Sequence, residues 1–196
     1  RSGPRTAEDT AWSEYNHHMA GVFVLSIGVL TLLAQARWGR WARHWPLLLL
    51  GLAAFLFVRD DPETWPLGPI DFWASMGDIE VVQHRLFVLL LVACGVFEWM
   101  VRTERIESPR WAFVFPMLCA VGGALLLTHS HALSSAKREF LMEITHTPLA
   151  LLGVGAGWAR WLELRLPGRG DGVPERVWSI ALALVGMGML SQPQVA

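Results

Sequence analysis

The sequence predicts an all-α membrane protein, a polytopic bundle of about six transmembrane helices with both termini on the outer side. Three observations predict this fold class. Hydrophobic residues make up 53% of the 196 residues and charged residues only 17%, a balance typical of membrane proteins. Several long apolar runs divide the chain, and the arginines are concentrated in alternate connections between these runs. The net charge of −1 gives no basic field, so we expect no nucleic-acid partner.

The six apolar runs are the predicted helices, and they lie at about 14–36, 45–58, 80–101, 111–129, 141–164 and 177–190. The first, third, fourth and fifth are long enough to cross a bilayer, which takes roughly 20 helical residues. The second and sixth each hold only about 14 strongly apolar residues, below that length. They span only if flanking residues such as Trp41 and Ser191 lie at the membrane interface. The alternative for either run is a buried or half-inserted helix.

The charges of the connections predict the orientation of the bundle. Arginines are frequent in 36–44, 102–110 and 165–176, whereas 60–80 is acidic and contains no Lys or Arg. Connections rich in Lys and Arg face the cytoplasm, so the acidic loop and both termini face outward. We therefore expect one transmembrane domain over 1–196, with an outer N-terminal segment at 1–12 and an outer Pro- and Trp-rich loop at 59–79. We expect membrane lipid to be in contact with such a domain.

Histidines are concentrated at one side of this predicted bundle. Of the seven histidines, only His44 falls near an inner helix end. The six others come from four different helices, and they are His17, His18, His84, His129, His131 and His146. Ionisable groups within membrane-spanning segments are functional candidates, because burying them in lipid is costly. The alternative for each ring taken singly is a helix cap or a contact with lipid headgroups.

Carboxylates accompany three of these rings at helical spacing. The pairs are Glu14 with His18, Glu80 with His84, and Glu143 with His146. A carboxylate on one ring nitrogen fixes the tautomer and makes the other nitrogen a better metal ligand, or it can bind the metal itself. An ordinary interfacial hydrogen bond is the alternative for each pair. Imidazole suits copper, zinc, iron and nickel, and a thioether such as that of Met142 shifts the preference to Cu(I).

The predicted metal site therefore comprises His17, His18, His84, His129, His131, His146, Glu143 and Met142.

Glu98, near the inner end of the third run, is interpreted as snorkelling to the headgroups, with a proton or metal stepping point as the alternative. Cys94 and Cys119 are predicted to lie at similar depth on antiparallel helices. They are interpreted as inert buried thiols, with a soft-metal relay as the alternative.

Several stretches resemble the CopD-type copper-resistance membrane proteins. They are "EYNHHMAG", "QHRLFVLLLVACGVFEW", "GGALLLTHSHAL" and "KREFLMEITHTPLALLGVGAGWARWLELRL". The resemblance extends from Trp12 to about Leu166. It implies a multi-pass bacterial inner-membrane protein that serves copper uptake, transfer or homeostasis. It also implies a periplasmic copper-binding protein, or a larger membrane complex, as partner. We expect the protein not to be an enzyme, with a redox role as the alternative if haem is bound.

Two other functions compete with copper handling. Facing histidines on two helices could ligate haem b in a membrane electron carrier, although no C-x-x-C-H is present for a c-type haem. The chain could also be an accessory or structural subunit of a larger membrane complex. The sequence has no Gly-rich phosphate loop and no H-E-x-x-H, so we expect neither an ATPase nor a zinc hydrolase.

Overall fold

The computed structural model is all-helical in the part of the chain that it describes, residues 7–36, 40–59, 61–127, 136–166 and 172–191. Side chains are described from residue 11 in the first range, from 41 in the second and from 143 in the fourth. The α-helices are α1 (Ala7–Gln35), α2 (Leu47–Arg59), α3 (Phe72–Ser75), α4 (Ile79–Arg102), α5 (Val114–Leu127), α6 (Ala136–Arg165) and α7 (Val173–Ser191). Short 3-10 helices at Arg40–His44 and Pro109–Phe113 precede α2 and α5.

Among the residues that the structure describes, five helical segments have both the length and the composition to cross a membrane. These are Ala11–Gln35, Trp41–Arg59, Ile79–Arg102, Pro109–Leu127 and Val173–Ser191, each long and apolar enough to cross a bilayer. The second and sixth apolar runs reach spanning length because flanking residues extend their helices, which is the condition under which they were predicted to be spans. The fifth predicted run forms α6, which is not among the five. Polar residues interrupt α6 at 145–147 and again at Arg160 and Glu163.

The six long helices form a closed ring in chain order. Each packs mainly against its neighbours in the sequence, with α2 against α4 across the short α3, and α7 closes the ring against α1 through the most extensive interface. Neighbours run antiparallel. On α1, for example, Gly28 lies against Ala183, whereas Leu25 lies against Gly186 further along α7. This alternation places the two ends of every helix at opposite ends of the bundle.

One continuous core fills the centre of the ring, with a buried residue from each of the six long helices. Its largest members are Trp45, Phe115 and Trp178, each at most 3% exposed. Their rings lie 5.5–5.9 Å apart in tilted and edge-on contacts. Such aromatic pairs are each worth about 0.5–1.5 kcal/mol beyond the burial of their area. The outer faces of the helices remain apolar and exposed, as a lipid-facing surface requires.

Candidate metal site

The four histidines of the predicted site whose side chains are described lie at the same end of the bundle. Asn16 Nδ2 donates to the carbonyl of Arg59, so the start of α1 lies beside the end of α2. Arg85 Nη1 donates to the carbonyl of Phe57, which places the start of α4 there too. We call this the histidine end, and it contains His17, His18, His84 and His146. His129 and His131, and the side chain of Met142, lie outside the described residues.

His17 on α1 and His146 on α6 meet at the histidine end. Their ring centres are 6.1 Å apart and the ring planes are nearly perpendicular, at 83°. Both side chains are partly buried. Because α7 lies between α1 and α6 in the ring, this contact joins two helices that are not neighbours there. Two imidazoles that bind one metal at about 2.0–2.1 Å each have ring centres roughly 6.5 Å apart at most. The observed separation fits that limit.

Local hydrogen bonds orient both of these rings. His17 Nδ1 lies 2.8 Å from the carbonyl oxygen of Ser13, one turn earlier in α1. Because a carbonyl only accepts, Nδ1 carries the proton, and Nε2 of the neutral ring carries the lone pair that a metal would use. His146 Nδ1 lies 3.1 Å from Oγ1 of Thr145. Glu143, predicted to support or complete the site, has an exposed side chain one turn from His146.

His84 is held by a carboxylate from the 59–79 loop. Its Nδ1 lies 3.1 Å from Oδ2 and 3.3 Å from Oδ1 of Asp61, and both side chains are largely buried, at 14% and 11% exposed. The pattern of carboxylates one turn before histidines did not indicate Asp61, which is 23 residues away in the sequence. If His84 binds a metal, Asp61 takes the role expected of a carboxylate, since on Nδ1 it leaves Nε2 as the ligating nitrogen and raises its basicity.

The 59–79 loop is fixed to the bundle by arginines. Arg85 Nη1 donates to the carbonyl of Phe57 at 2.8 Å, and Nη2 donates to that of Trp65 at 2.8 Å. Arg59, at the end of α2, lies with its guanidinium 4.0 Å from the ring centre of Trp12, whose indole N–H donates to the Arg59 carbonyl. These contacts hold Asp61 in place, and through Asp61 they also hold His84.

A cluster of buried charges occupies the opposite end of the bundle. Oε1 of Glu98 on α4 accepts from Arg102 at 2.7 Å and from Arg160 on α6 at 3.3 Å. Arg160 also pairs with Glu163, which accepts from the indole N–H of Trp178 at 2.7 Å. Glu98 is 1% exposed, so its interpretation as a snorkelling side chain is wrong. The spacing of Glu98 and Arg102, four residues apart in an apolar run, was the signal for this pair.

We call this end the arginine end, and His44 lies there. Its Nδ1 accepts from the indole N–H of Trp99 at 3.0 Å, which gives the ring a purely structural contact. Gln35 at the end of α1 donates to the carbonyl of Glu175 and to the hydroxyl of Ser179 on α7. Histidines of the candidate site and this buried charge cluster are therefore separated along the bundle axis.

The described residues define a pair and a separate oriented ring rather than a complete coordination sphere. Within the described ranges, no group of three or more His, Cys, Asp or Glu side chains is arranged to hold a metal ion. The side chains that could bind a metal at this end are the paired imidazoles of His17 and His146 and the imidazole of His84, which a carboxylate orients.

We compared the chain with protein-family models, curated proteins and solved structures, and none of them matches.

Proposed function

We propose that the chain is a multi-pass inner-membrane protein that binds copper at its outer face for copper uptake, transfer or homeostasis. The observation that carries this proposal is the contact between His17 and His146, which brings two intramembrane imidazoles from α1 and α6 to a distance suited to one metal ion. His84, oriented by Asp61 at the same end, supports it. Imidazole ligation suits copper, and the resemblance to CopD-type proteins favours copper over zinc.

The proposed orientation has six spans, with both termini and the histidine end outside. The distribution of described arginines supports it. Arg40, Arg43, Arg102, Arg105, Arg110, Arg160, Arg165 and Arg176 belong to helix ends and connections at the arginine end, whereas Arg59, Arg85 and Arg138 lie at the histidine end. Positive connections remain cytoplasmic, so the arginine end faces inward. In this orientation the site receives copper from the periplasm, where a copper-binding protein is the proposed partner, with lipid around the helices.

Haem b is the alternative occupant of the same pair, because axial imidazoles on an iron also have ring centres roughly 6 Å apart. The close approach of α1 and α7 favours copper. A methyl group on Gly21, one turn from His17, would lie 3.0 Å from the side chain of Leu190 and from the carbonyl of Gly186. A porphyrin needs a wide slot between helices, whereas a copper ion needs only the ligand atoms.

The test is copper binding by the purified full-length chain, with metal content measured by mass spectrometry and Cu(I) affinity by competition with a chromophoric chelator. We expect His17→Ala and His146→Ala each to lower the affinity about tenfold or more, which corresponds to about 1.4 kcal/mol. His44→Gln is the matched control, because His44 lies at the arginine end and glutamine can still accept from Trp99. Wild-type affinity in both alanine variants would refute the metal site. A Soret band in the purified protein would show that the bound group is haem and not copper.

A further inference from the structure

The charge cluster at the arginine end contains three buried polar atoms that have no hydrogen-bond partner in the described part of the chain. They are Oε2 of Glu98, Nε of Arg160 and Nε1 of Trp45. Glu98 and Trp45 are 1% exposed and Arg160 is 6% exposed, so these atoms are out of contact with bulk solvent. Because buried polar atoms in native proteins nearly always have partners, three unpaired atoms in one cluster require an explanation.

Two of these atoms belong to one ion pair. Nη2 of Arg160 on α6 donates to Oε1 of Glu98 on α4 at 3.3 Å, which is long beside the roughly 2.7–2.9 Å of a charge-assisted hydrogen bond. Oε2 is bonded to the same carbon as Oε1, and Nε shares one planar guanidinium with Nη2. The unpaired acceptor and the unpaired donor therefore lie within a few ångströms of each other, beside the same contact.

The third unpaired atom belongs to an indole ring that packs against the cluster. Cζ of Arg102 lies 5.1 Å from the ring centre of Trp45 and 5.7 Å from that of Trp178. The same arginine donates through Nε to Glu98 at 2.7 Å. The indole N–H of Trp178 donates to Glu163, whereas that of Trp45 has no partner among the described residues. The cluster is thus bounded by two indoles, one of which has a donor to spare.

Charge and hydrogen-bonding capacity identify the chemistry of the missing partner. The carboxylates of Glu98 and Glu163 balance the guanidinium groups of Arg102 and Arg160, so an added ion would bring an uncompensated charge into a largely buried place. The partner must also donate to Oε2 and accept from an N–H group. An anion without a proton cannot donate, and a metal cation cannot accept. Water does both and carries no charge.

We propose that an internal water molecule is bound between Glu98 and Arg160, donating to Oε2 and accepting from Nε. The indole N–H of Trp45 is the third group of this site. Buried waters typically make about three hydrogen bonds to polar groups that are otherwise unsatisfied, and the cluster supplies that number. The water completes the polar connection between α4 and α6 inside an apolar bundle. This inference goes beyond copper binding and holds for either orientation of the bundle.

The test is hydroxyl-radical footprinting of the purified full-length chain with X-ray pulses, which oxidise side chains beside bound water as well as those in bulk solvent. Trp45 and Trp178 are the reporters beside the cluster. Ile27, 2% exposed in the central core, is the dry control, and Trp73, 81% exposed, is the control for bulk solvent. After correction for the intrinsic reactivity of each residue type, we expect both reporters to be oxidised several-fold faster than Ile27.

A crystal structure at a resolution that shows individual waters tests the same site directly. We expect one water within hydrogen-bonding distance of Oε2 of Glu98 and Nε of Arg160. A structure in which Oε2 accepts directly from a protein N–H or O–H group would overturn the proposal, because the oxygen would then need no water. Oxidation of Trp45 and Trp178 no faster than that of Ile27 would overturn it as well. Both experiments use the wild-type chain, so neither depends on whether a variant folds.

Discussion

At the scale of single residues, Glu98 shows most clearly how this helical bundle accommodates charge. Its carboxylate lies in the bundle interior because two arginines from different helices share one of its oxygens. A buried pair of this kind is strongly destabilised when one partner is removed, since the remaining charges lose their compensation. The cluster therefore joins α4 and α6, which are separated by α5 in the ring, and it restricts how far they can move apart.

We predict that Glu98→Gln destabilises the protein by about 3–5 kcal/mol, because the buried Arg160 and the partly buried Arg102 then lose their shared carboxylate. The measurement is thermal unfolding in detergent, followed with a thiol-reactive dye that reacts with the buried cysteines as the core opens. Glu107→Gln is the control, because Glu107 is exposed in the connection after α4 and should change stability by less than about 0.5 kcal/mol. Equal unfolding temperatures for the two variants would contradict the structural role of the cluster.

The sequence indicated which histidines share one end of the bundle, but it did not indicate their partners. The limits of the hydrophobic runs and the alternating direction of successive helices suffice to place His17, His84 and His146 at one end of the bundle. The contact of His84 with Asp61 depends on how the 59–79 loop folds back, which local spacing does not determine. Glu98 was misinterpreted for a similar reason, because its second partner, Arg160, lies 62 residues away.

At the scale of helices, close packing of α1 against α7 closes the ring. The two backbones approach where each helix has a glycine. A methyl group on Gly28 would lie 2.5 Å from the backbone nitrogen of Ala183, and one on Gly186 would collide with the backbone of Leu25. Small residues at such positions allow membrane helices to pack closely, because dispersion contacts replace the missing hydrophobic driving force.

We predict that Gly28→Ala and Gly186→Ala each destabilise the protein by about 1–3 kcal/mol, because the helices must separate to admit the methyl group. Gly122→Ala on α5 and Gly155→Ala on α6 are matched controls, since neither methyl group would meet another atom within 4 Å. These controls should be neutral or stabilising by up to about 1 kcal/mol, the difference in helix propensity. A Gly186→Ala variant as stable as Gly122→Ala, by the same dye assay, would refute the tight α1–α7 contact.

The helices themselves were largely predictable from the apolar runs, because a run long enough to span a bilayer has few alternatives to a helix. The predicted limits of α4, 80–101, agree with Ile79–Arg102 to within a residue at each end. α1 and α6 begin earlier than predicted, at Ala7 and Ala136, because polar first turns continue a helix without adding hydrophobicity. The short α3 was missed, although Asp71 caps it through its carboxylate, which accepts from the N–H groups of Trp73 and Ala74.

At the scale of the whole molecule, chemistry is divided along the bundle axis. Imidazoles lie at one end, two thiols lie near the centre, and paired arginines and carboxylates lie at the other end. The direction of the proposed copper movement depends on which end of the bundle faces the periplasm. If the histidine end is outside, copper meets imidazoles first. If it is inside, the same residues would act on cytoplasmic copper, and the proposed periplasmic partner would have no site to reach.

We predict that the outer loop faces the periplasm and that the connection after α4 faces the cytoplasm. In a background of Cys94→Ala and Cys119→Ala, Leu67→Cys should react with a membrane-impermeant maleimide in spheroplasts, because Leu67 is 69% exposed in the outer loop. Glu107→Cys, exposed at the arginine end, should react only after the membrane is permeabilised. Labelling of Glu107→Cys alone in intact spheroplasts would show that the orientation is the reverse of the predicted one. Labelling of both positions without permeabilisation would mean that the two bundle ends do not lie on opposite sides of the membrane.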